Sequence, residues 1–210
     1  SLMIRNRDAR SSSYEALKDL FRPGHGDYTY FSKYGFRDWR GGGRASGRET
    51  AARVAAGAVA ARLIATVGIN VVAYTKNIGG IEISSRDVRP TQSWIERVRQ
   101  NQLYCPEETA AAAMEEKIAA ARAEGDTLGG VVEIIVTGCP AGLGEPVFEK
   151  IDAALASALA SIGSVKAVEI GEGIGVAMKK GSEINDEMDE TGFTKNSAGG
   201  ILAGITTGQD

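Results

Sequence analysis

The sequence predicts a chain of mixed α and β structure, α/β or α+β, on three observations. A long alanine-rich helical period runs from Ser46 to about Thr66, Val131 to Val136 forms a β-branched run typical of a strand, and helix and strand signals interleave along all 210 residues. Taken in order, Tyr14 to Phe21 suits a short helix that Arg22-Pro23-Gly24 ends. Asp27 to Trp39 reads as an aromatic-rich connection with six aromatic residues from Tyr28 to Trp39. Such a cluster fits a core or a subunit interface, and ligand stacking is the alternative.

The segment Arg40-Gly41-Gly42-Gly43-Arg44-Ala45-Ser46-Gly47-Arg48-Glu49-Thr50 joins this connection to the alanine-rich helix. Ser46 is placed as N-cap, and Glu49, three residues on, can reach back to its N–H as in a capping box. The first turn of a helix leaves N–H groups unpaired and carries partial positive charge, and glycines let an anion approach the main chain. With Arg44 and Arg48 beside them, these residues can form an anion site; an ordinary capped helix behind a glycine turn is the alternative. A Walker A loop is excluded, because no Gly-Lys-Ser/Thr follows.

Beyond Gly68, Ile69 to Tyr74 reads as a strand, and helix signals recur at Thr91 to Leu103 and Pro106 to Ala123. The second of these has Pro106 at its first position, Glu107 and Glu108 in its first turn and Gly125 past its end. Pro146 opens a further apolar helix through Leu159, and Val165 to Ile170 follows as a strand. Gly171-Glu172-Gly173-Ile174-Gly175 then lacks the helix start that a dinucleotide fingerprint needs, and reads better as a glycine turn. The acidic run Glu183 to Glu190 lacks the spacing of a calcium loop and reads as solvated. Gly199 to Asp210 begins a strand and stops, and Met3 to Asp8 resembles the exit of an element, so both ends suggest a piece of a longer protein.

With 43% hydrophobic residues the chain can bury a core as one large domain or two small ones, and it is not of the disordered class. A net charge of -3 argues against a nucleic-acid binder, whereas the arginines crowded into the first quarter suggest small anionic ligands. Val54 to Val67 is interrupted by Arg62, so no run is long and apolar enough for a bilayer. Cys105 and Cys139 have neither disulfide nor zinc spacing, so no metal is expected and a reducing, cytoplasmic setting is the default.

The single histidine, His25, lies in Phe21-Arg22-Pro23-Gly24-His25-Gly26-Asp27-Tyr28-Thr29-Tyr30. A lone histidine is usually structural or exposed, but here a Pro-Gly turn beside Arg22 can present the ring to a site. These residues resemble the chorismate synthase family. The likeness is carried by Ile4-Arg5-Asn6-Arg7-Asp8, Arg22-Pro23-Gly24-His25, Asp27-Tyr28-Thr29-Tyr30, Lys33-Tyr34-Gly35 and Gly43-Arg44-Ala45-Ser46-Gly47-Arg48-Glu49-Thr50-Ala51. It continues through Gly138-Cys139-Pro140-Ala141-Gly142-Leu143-Gly144-Glu145-Pro146-Val147-Phe148, Val168-Glu169-Ile170-Gly171 and Asn196-Ser197-Ala198-Gly199-Gly200-Ile201-Leu202.

The resemblance implies an α+β fold with a helical layer between antiparallel sheets, residues 1–210 forming the central part of one domain, and a homotetramer. It implies anti-1,4-elimination of phosphate from 5-enolpyruvylshikimate 3-phosphate to give chorismate, with reduced FMN and no net redox change. Of the family's two catalytic histidines, His25 matches the one that protonates reduced flavin. Arg22 and Arg48 match substrate-binding arginines, and Arg44, Ala45 and Ser46 match a flavin-contacting triplet. Gly163 and Ser164 fall where the family usually has Asn-Ala at the flavin, and Ala203 falls where it often has glycine near the cofactor.

The family's Gly-Glu-Ser-His-Gly segment, with the phosphate-side histidine, does not occur in these residues, nor do its Lys-Pro-Thr and Arg-His-Asp-Pro segments. The expectation is therefore that these 210 residues by themselves do not turn over and bind FMN weakly or not at all. Two other readings stay open. An FMN-binding oxidoreductase would consume reductant stoichiometrically, and a non-catalytic oligomerisation module would be indifferent to the loss of His25.

Overall fold

The computed structural model describes residues 1–6, 10–84 and 90–210; Arg7 and Asp8 of the first motif lie outside them. The architecture is α+β, with antiparallel sheets. The centre is a three-stranded sheet of order β2-β1-β3, built from β1 (Asn70–Ile78), β2 (Ile81–Glu82) and β3 (Gly130–Thr137). The long pairing sets Asn70 opposite Thr137 and Ile78 opposite Gly130, and a bulge between Thr75 and Asn77 leaves Lys76 without an opposite residue.

Two helices cover one face of this sheet. In α3 (Gln92–Gln100) the Thr91 hydroxyl accepts the Trp94 N–H and caps the helix. The helix α4 (Glu108–Ala123) begins two residues after Pro106, with Glu108 in its first turn. Trp94 and Val98 from α3, and Ala110, Ala111 and Met114 from α4, close on Tyr74 of β1 together with Ile83 and Cys105. Tyr74 and Met114 are fully buried, and Trp94 meets Tyr74 edge to face at 5.0 Å. Across the strands the Tyr74 hydroxyl bonds the Glu133 carboxylate, which also pairs with Lys76. Burial, and then that carboxylate, push the Tyr74 phenol well above its usual range.

The helix α2 (Thr50–Ala65) carries the alanine-rich run, preceded by 3-10 turns at Gly43–Ala45 and Gly47–Glu49. Ser46 caps the second of these, its hydroxyl accepting the Arg48 N–H at 3.3 Å. The expected capping box does not close. Glu49 turns forward to Arg53 at 2.8 Å, because an i,i+4 arginine offers a charged partner in place of a backbone N–H. Apolar residues lie all round α2, and Val54, Val59, Leu63 and Val67 are 63–70% exposed.

Other expectations are corrected. The connection after Gly26 contains a helix, α1 (Asp27–Tyr34), which Gly35 ends in the left-handed conformation with its N–H on the Phe31 carbonyl. Tyr28 and Phe31 pack on Phe21 and Tyr30 packs on Tyr34, all outside the buried core. The first helix is a 3-10 turn, Ser11–Leu17, displaced towards the N-terminus from Tyr14–Phe21.

The helix expected from Pro146 begins later, as α5 (Ile151–Ala160), because Glu145 and Glu149 exchange backbone hydrogen bonds and close a loop first. Val165 to Ile170 forms no strand among the described residues; β-branched content without a ladder partner is not enough. Gly173–Met178 is a 3-10 turn and not the helix of a dinucleotide fold. The acidic run is partly ordered, as the one-turn α6 (Gly181–Ile184) and the hairpin of β4 (Met188–Asp189) with β5 (Gly192–Phe193). The final segment is a hairpin of β6 (Ile201–Leu202) and β7 (Ile205–Thr206).

Candidate functional site

His25 closes a turn that its own sequence dictates. Pro23 fixes φ, Gly24 takes φ +70°, and the His25 N–H reaches the Arg22 carbonyl at 3.3 Å, which is a type II turn. The imidazole Nδ1 lies 2.9 Å from the Pro23 carbonyl oxygen. A carbonyl only accepts, so Nδ1 carries the proton, and Nε2 of the exposed ring is the nitrogen left to meet a ligand.

The turn is held from behind by Asp27, which is 5% exposed. Its Oδ2 accepts the Arg22 backbone N–H at 3.0 Å and Nε at 2.9 Å, and its Oδ1 accepts Nη2 at 3.0 Å. Arg37 adds a second guanidinium at 3.7 Å, while its Nη2 donates to the Leu17, Lys18 and Leu20 carbonyls at 2.7–2.9 Å. The hydrogen bonds from Arg22, with both positive charges, hold the Asp27 carboxyl well below the usual carboxylate range, against the opposing effect of burial. The stability from this pairing is therefore fully present above the ordinary carboxylate pKa, and it is lost only as pH falls through the depressed one.

The His25 turn and the basic loop meet at Gly26. A Cβ built there would lie 3.5 Å from the Ala45 Cβ and 3.4 Å from the Tyr30 ring, ordinary van der Waals contact, so the two segments lie side by side at this point. In the loop itself Gly41, Gly42 and Gly43 all take positive φ. Arg44 and Arg48 are exposed, and among the described residues neither has a carboxylate partner. Arg48 folds back over Gly41, where a Cβ would lie 3.0 Å from its Nη1.

Gly163 and Ser164 follow α5. They are tied to the basic loop through Arg53, whose Nη1 donates to the Ser161 Oγ at 2.8 Å and Nη2 to the Ser161 carbonyl at 3.1 Å. Ser164 holds φ +71° without being glycine. Ala203 is elsewhere, in the two-residue β6–β7 turn, with φ +51° followed by Gly204 at +82°. Gly204 packs on Lys150 at the start of α5, so Ala203 lies at the opposite end of that helix, roughly 15 Å along its axis from Ser161.

The structure thus sets the His25 turn against Ala45, in the loop that also carries Arg44, Ser46 and Arg48, bonds Ser161, just before Gly163 and Ser164, to Arg53, and puts Ala203 at the far end of α5. The left-handed backbone at Ala203 explains why glycine suits that position, since a Cβ there costs about 1–2 kcal/mol. Ala203→Gly is expected to stabilise the protein by roughly 1 kcal/mol or less, after the flexibility that glycine adds to the unfolded chain. A urea midpoint that falls would count against it.

Sequence reasoning missed Asp27, Arg37 and Arg53. Asp27 was signalled by an acid five residues from Arg22 across a tight turn, and Arg53 by its i,i+4 spacing from Glu49. Arg37 and Ser161 had no local signal. Among the described residues there is no cluster able to hold a metal ion, no helix is long and apolar enough to cross a membrane, and both cysteines are free.

The profile of the chorismate synthase family matches residues 1–210. The chain is 59% identical over 209 residues to the chorismate synthase of Syntrophus aciditrophicus (strain SB), covering 100% of this chain and 58% of that protein. It is 55% identical over 212 residues to that of Syntrophobacter fumaroxidans (strain DSM 10017 / MPOB), again covering 100% of this chain and 58% of the relative. A solved structure, described as the crystal structure of chorismate synthase, superposes with a TM-score of 0.79 at 33% identity, covering 88% of this chain and 60% of that one. The chain spans somewhat more than half the length of these relatives, and it belongs to the chorismate synthase family.

Proposed function

We propose that the protein containing these residues is a lyase that makes chorismate by anti-1,4-elimination of phosphate from 5-enolpyruvylshikimate 3-phosphate, in the shikimate pathway of aromatic amino acid biosynthesis. The observation that supports the reading is the approach of the His25 turn to Ala45 of the basic loop at Gly26, since that loop also carries the two exposed guanidinium groups of Arg44 and Arg48. Reduced FMN would be held by Arg44, Ala45 and Ser46, with Gly163 and Ser164 beyond Arg53 and Ala203 as a more distant contact. The donor set fits such a group, since exposed arginines and a positive-φ glycine loop suit a phosphate-bearing anion.

Each residue has a definable task. His25, with Nδ1–H committed to Pro23, receives or gives its second proton at Nε2. Arg48 and Arg22 bind the substrate's phosphate and carboxylate oxygens; Arg22 does so with a guanidinium already aligned by Asp27. Charge that develops as the C–O bond to phosphate breaks is stabilised by these fixed cations without reorganisation. When bound, reduced FMN supplies electron density to the reacting ring and assists loss of the ring proton, and is unchanged at the end. The exposed apolar residues of α2 support coverage by the rest of the protein or by neighbouring subunits, in keeping with a homotetramer. The free thiols support a cytoplasmic setting.

The test is to supply the purified full-length protein that contains these 210 residues with reduced FMN and 5-enolpyruvylshikimate 3-phosphate. Chorismate and inorganic phosphate are expected in equal amounts, with no stoichiometric consumption of reductant. Stoichiometric reductant loss would make it an oxidoreductase, and absence of chorismate would overturn the reading.

A further inference from the structure

We propose that Asp27 is a positioning residue for His25: its buried carboxylate, forked to Arg22, clamps both ends of the turn so that the imidazole's Nδ1–H stays on the Pro23 carbonyl. The catalytic meaning of this clamp rests on the proposed role of His25. Its structural content does not.

The turn from Arg22 to Asp27 has two weak points. Its Pro-Gly centre is closed by one long backbone hydrogen bond of 3.3 Å, and the histidine at its apex is exposed. Asp27 supplies the missing rigidity. It joins residues 22 and 27 through three hydrogen bonds at 2.9–3.0 Å, and Arg37 anchors the same carboxylate to the carbonyls at the end of the preceding 3-10 turn. A carboxylate with only 5% exposure that faces two guanidinium groups is far stronger as a link than the same pair in water. From the opposite side the turn is backed by the Ala45 contact at Gly26. The ring's hydrogen bond then runs inside the clamped segment, from Nδ1 to the carbonyl of Pro23 two residues earlier.

This arrangement selects a tautomer. A free imidazole favours the proton on Nε2, whereas here the Pro23 carbonyl requires it on Nδ1. The clamp therefore determines which ring nitrogen is available for proton transfer.

The tautomer can be read by nitrogen NMR on the protein labelled with [15N]histidine, at a pH about two units above the ordinary imidazole pKa of ~6.5. The His25 signals are assigned by their loss in His25→Gln. In the unsubstituted protein Nδ1 is expected to be the protonated nitrogen. In Asp27→Asn, which keeps the shape but loses the charge, the proton is expected to move to Nε2, and kcat for chorismate formation to fall about 10²-fold, the scale on which small misplacements act. If Asp27→Asn does not fold, Arg22→Gln removes the other half of the clamp and its tautomer is read in the same way. A bare Nδ1 in the unsubstituted protein, or a variant that keeps either the Nδ1–H tautomer or full turnover, would overturn the proposal. Because the tautomer is read without substrate or FMN, failure of the proposed function and failure of the clamp are separately visible.

Discussion

His25→Ala is expected to lower kcat for chorismate formation by about 10²–10⁴-fold, the range that a positioned general acid or base contributes. The change should leave stability nearly untouched, because the ring is exposed and its hydrogen bond to Pro23 is local to the turn. A substrate KM that rises while kcat holds would assign the histidine to binding. An unaltered kcat would remove it from the chemistry and favour a non-catalytic role for the whole segment. The result is easiest to interpret beside Asp27→Asn, where the imidazole is retained but its support is lost.

The largest expected loss of stability is in the buried core that α3 and α4 form on the sheet. Met114 has no exposed surface, and its side chain is part of a buried cluster of eight among the described residues. Met114→Ala removes that volume from α4 against Tyr74 and Trp94 and should destabilise the fold by about 2–5 kcal/mol, the usual range for such truncations in a core that relaxes incompletely. The measurement is a urea titration, in which the midpoint falls while the slope is kept. A loss below about 1 kcal/mol would mean that the cluster collapses around the gap, and that the sheet is held chiefly by its hydrogen bonds. Activity of the folded fraction should be preserved, since α4 contributes none of the residues around His25.

The parts of the fold that were legible in the sequence are those with strong local signals. Thr91 at the start of α3, Gly125 after α4 and the β-branched run of β3 each act within a few residues, and the structure keeps them. The errors lie where a local signal met a longer-range competitor. Glu49 had two possible partners and took Arg53, and Val165 to Ile170 had strand composition but no strand to pair with. The helix after Gly26 was hidden by its aromatic and β-branched residues, which propensity counts against, although Gly35 marked its end. For the site, the Pro-Gly turn and the arginine loop could be read directly from the residues. Their meeting at Gly26, and the reach of Arg53 to Ser161 across 108 positions, belong to tertiary structure alone.

The edge-to-face contact of Trp94 with Tyr74 has a practical corollary. The chain holds two tryptophans, one sealed in the core and the other, Trp39, half-buried beside Arg40 at the entrance to the basic loop. Their indoles therefore report on different regions: Trp94 fluorescence follows the packing of α3 and α4 on the sheet, and Trp39 fluorescence follows the loop proposed to meet the anion. Trp39→Phe leaves the core signal alone, and Trp94→Phe leaves the loop signal alone, so folding and ligand arrival can be watched separately without an added dye.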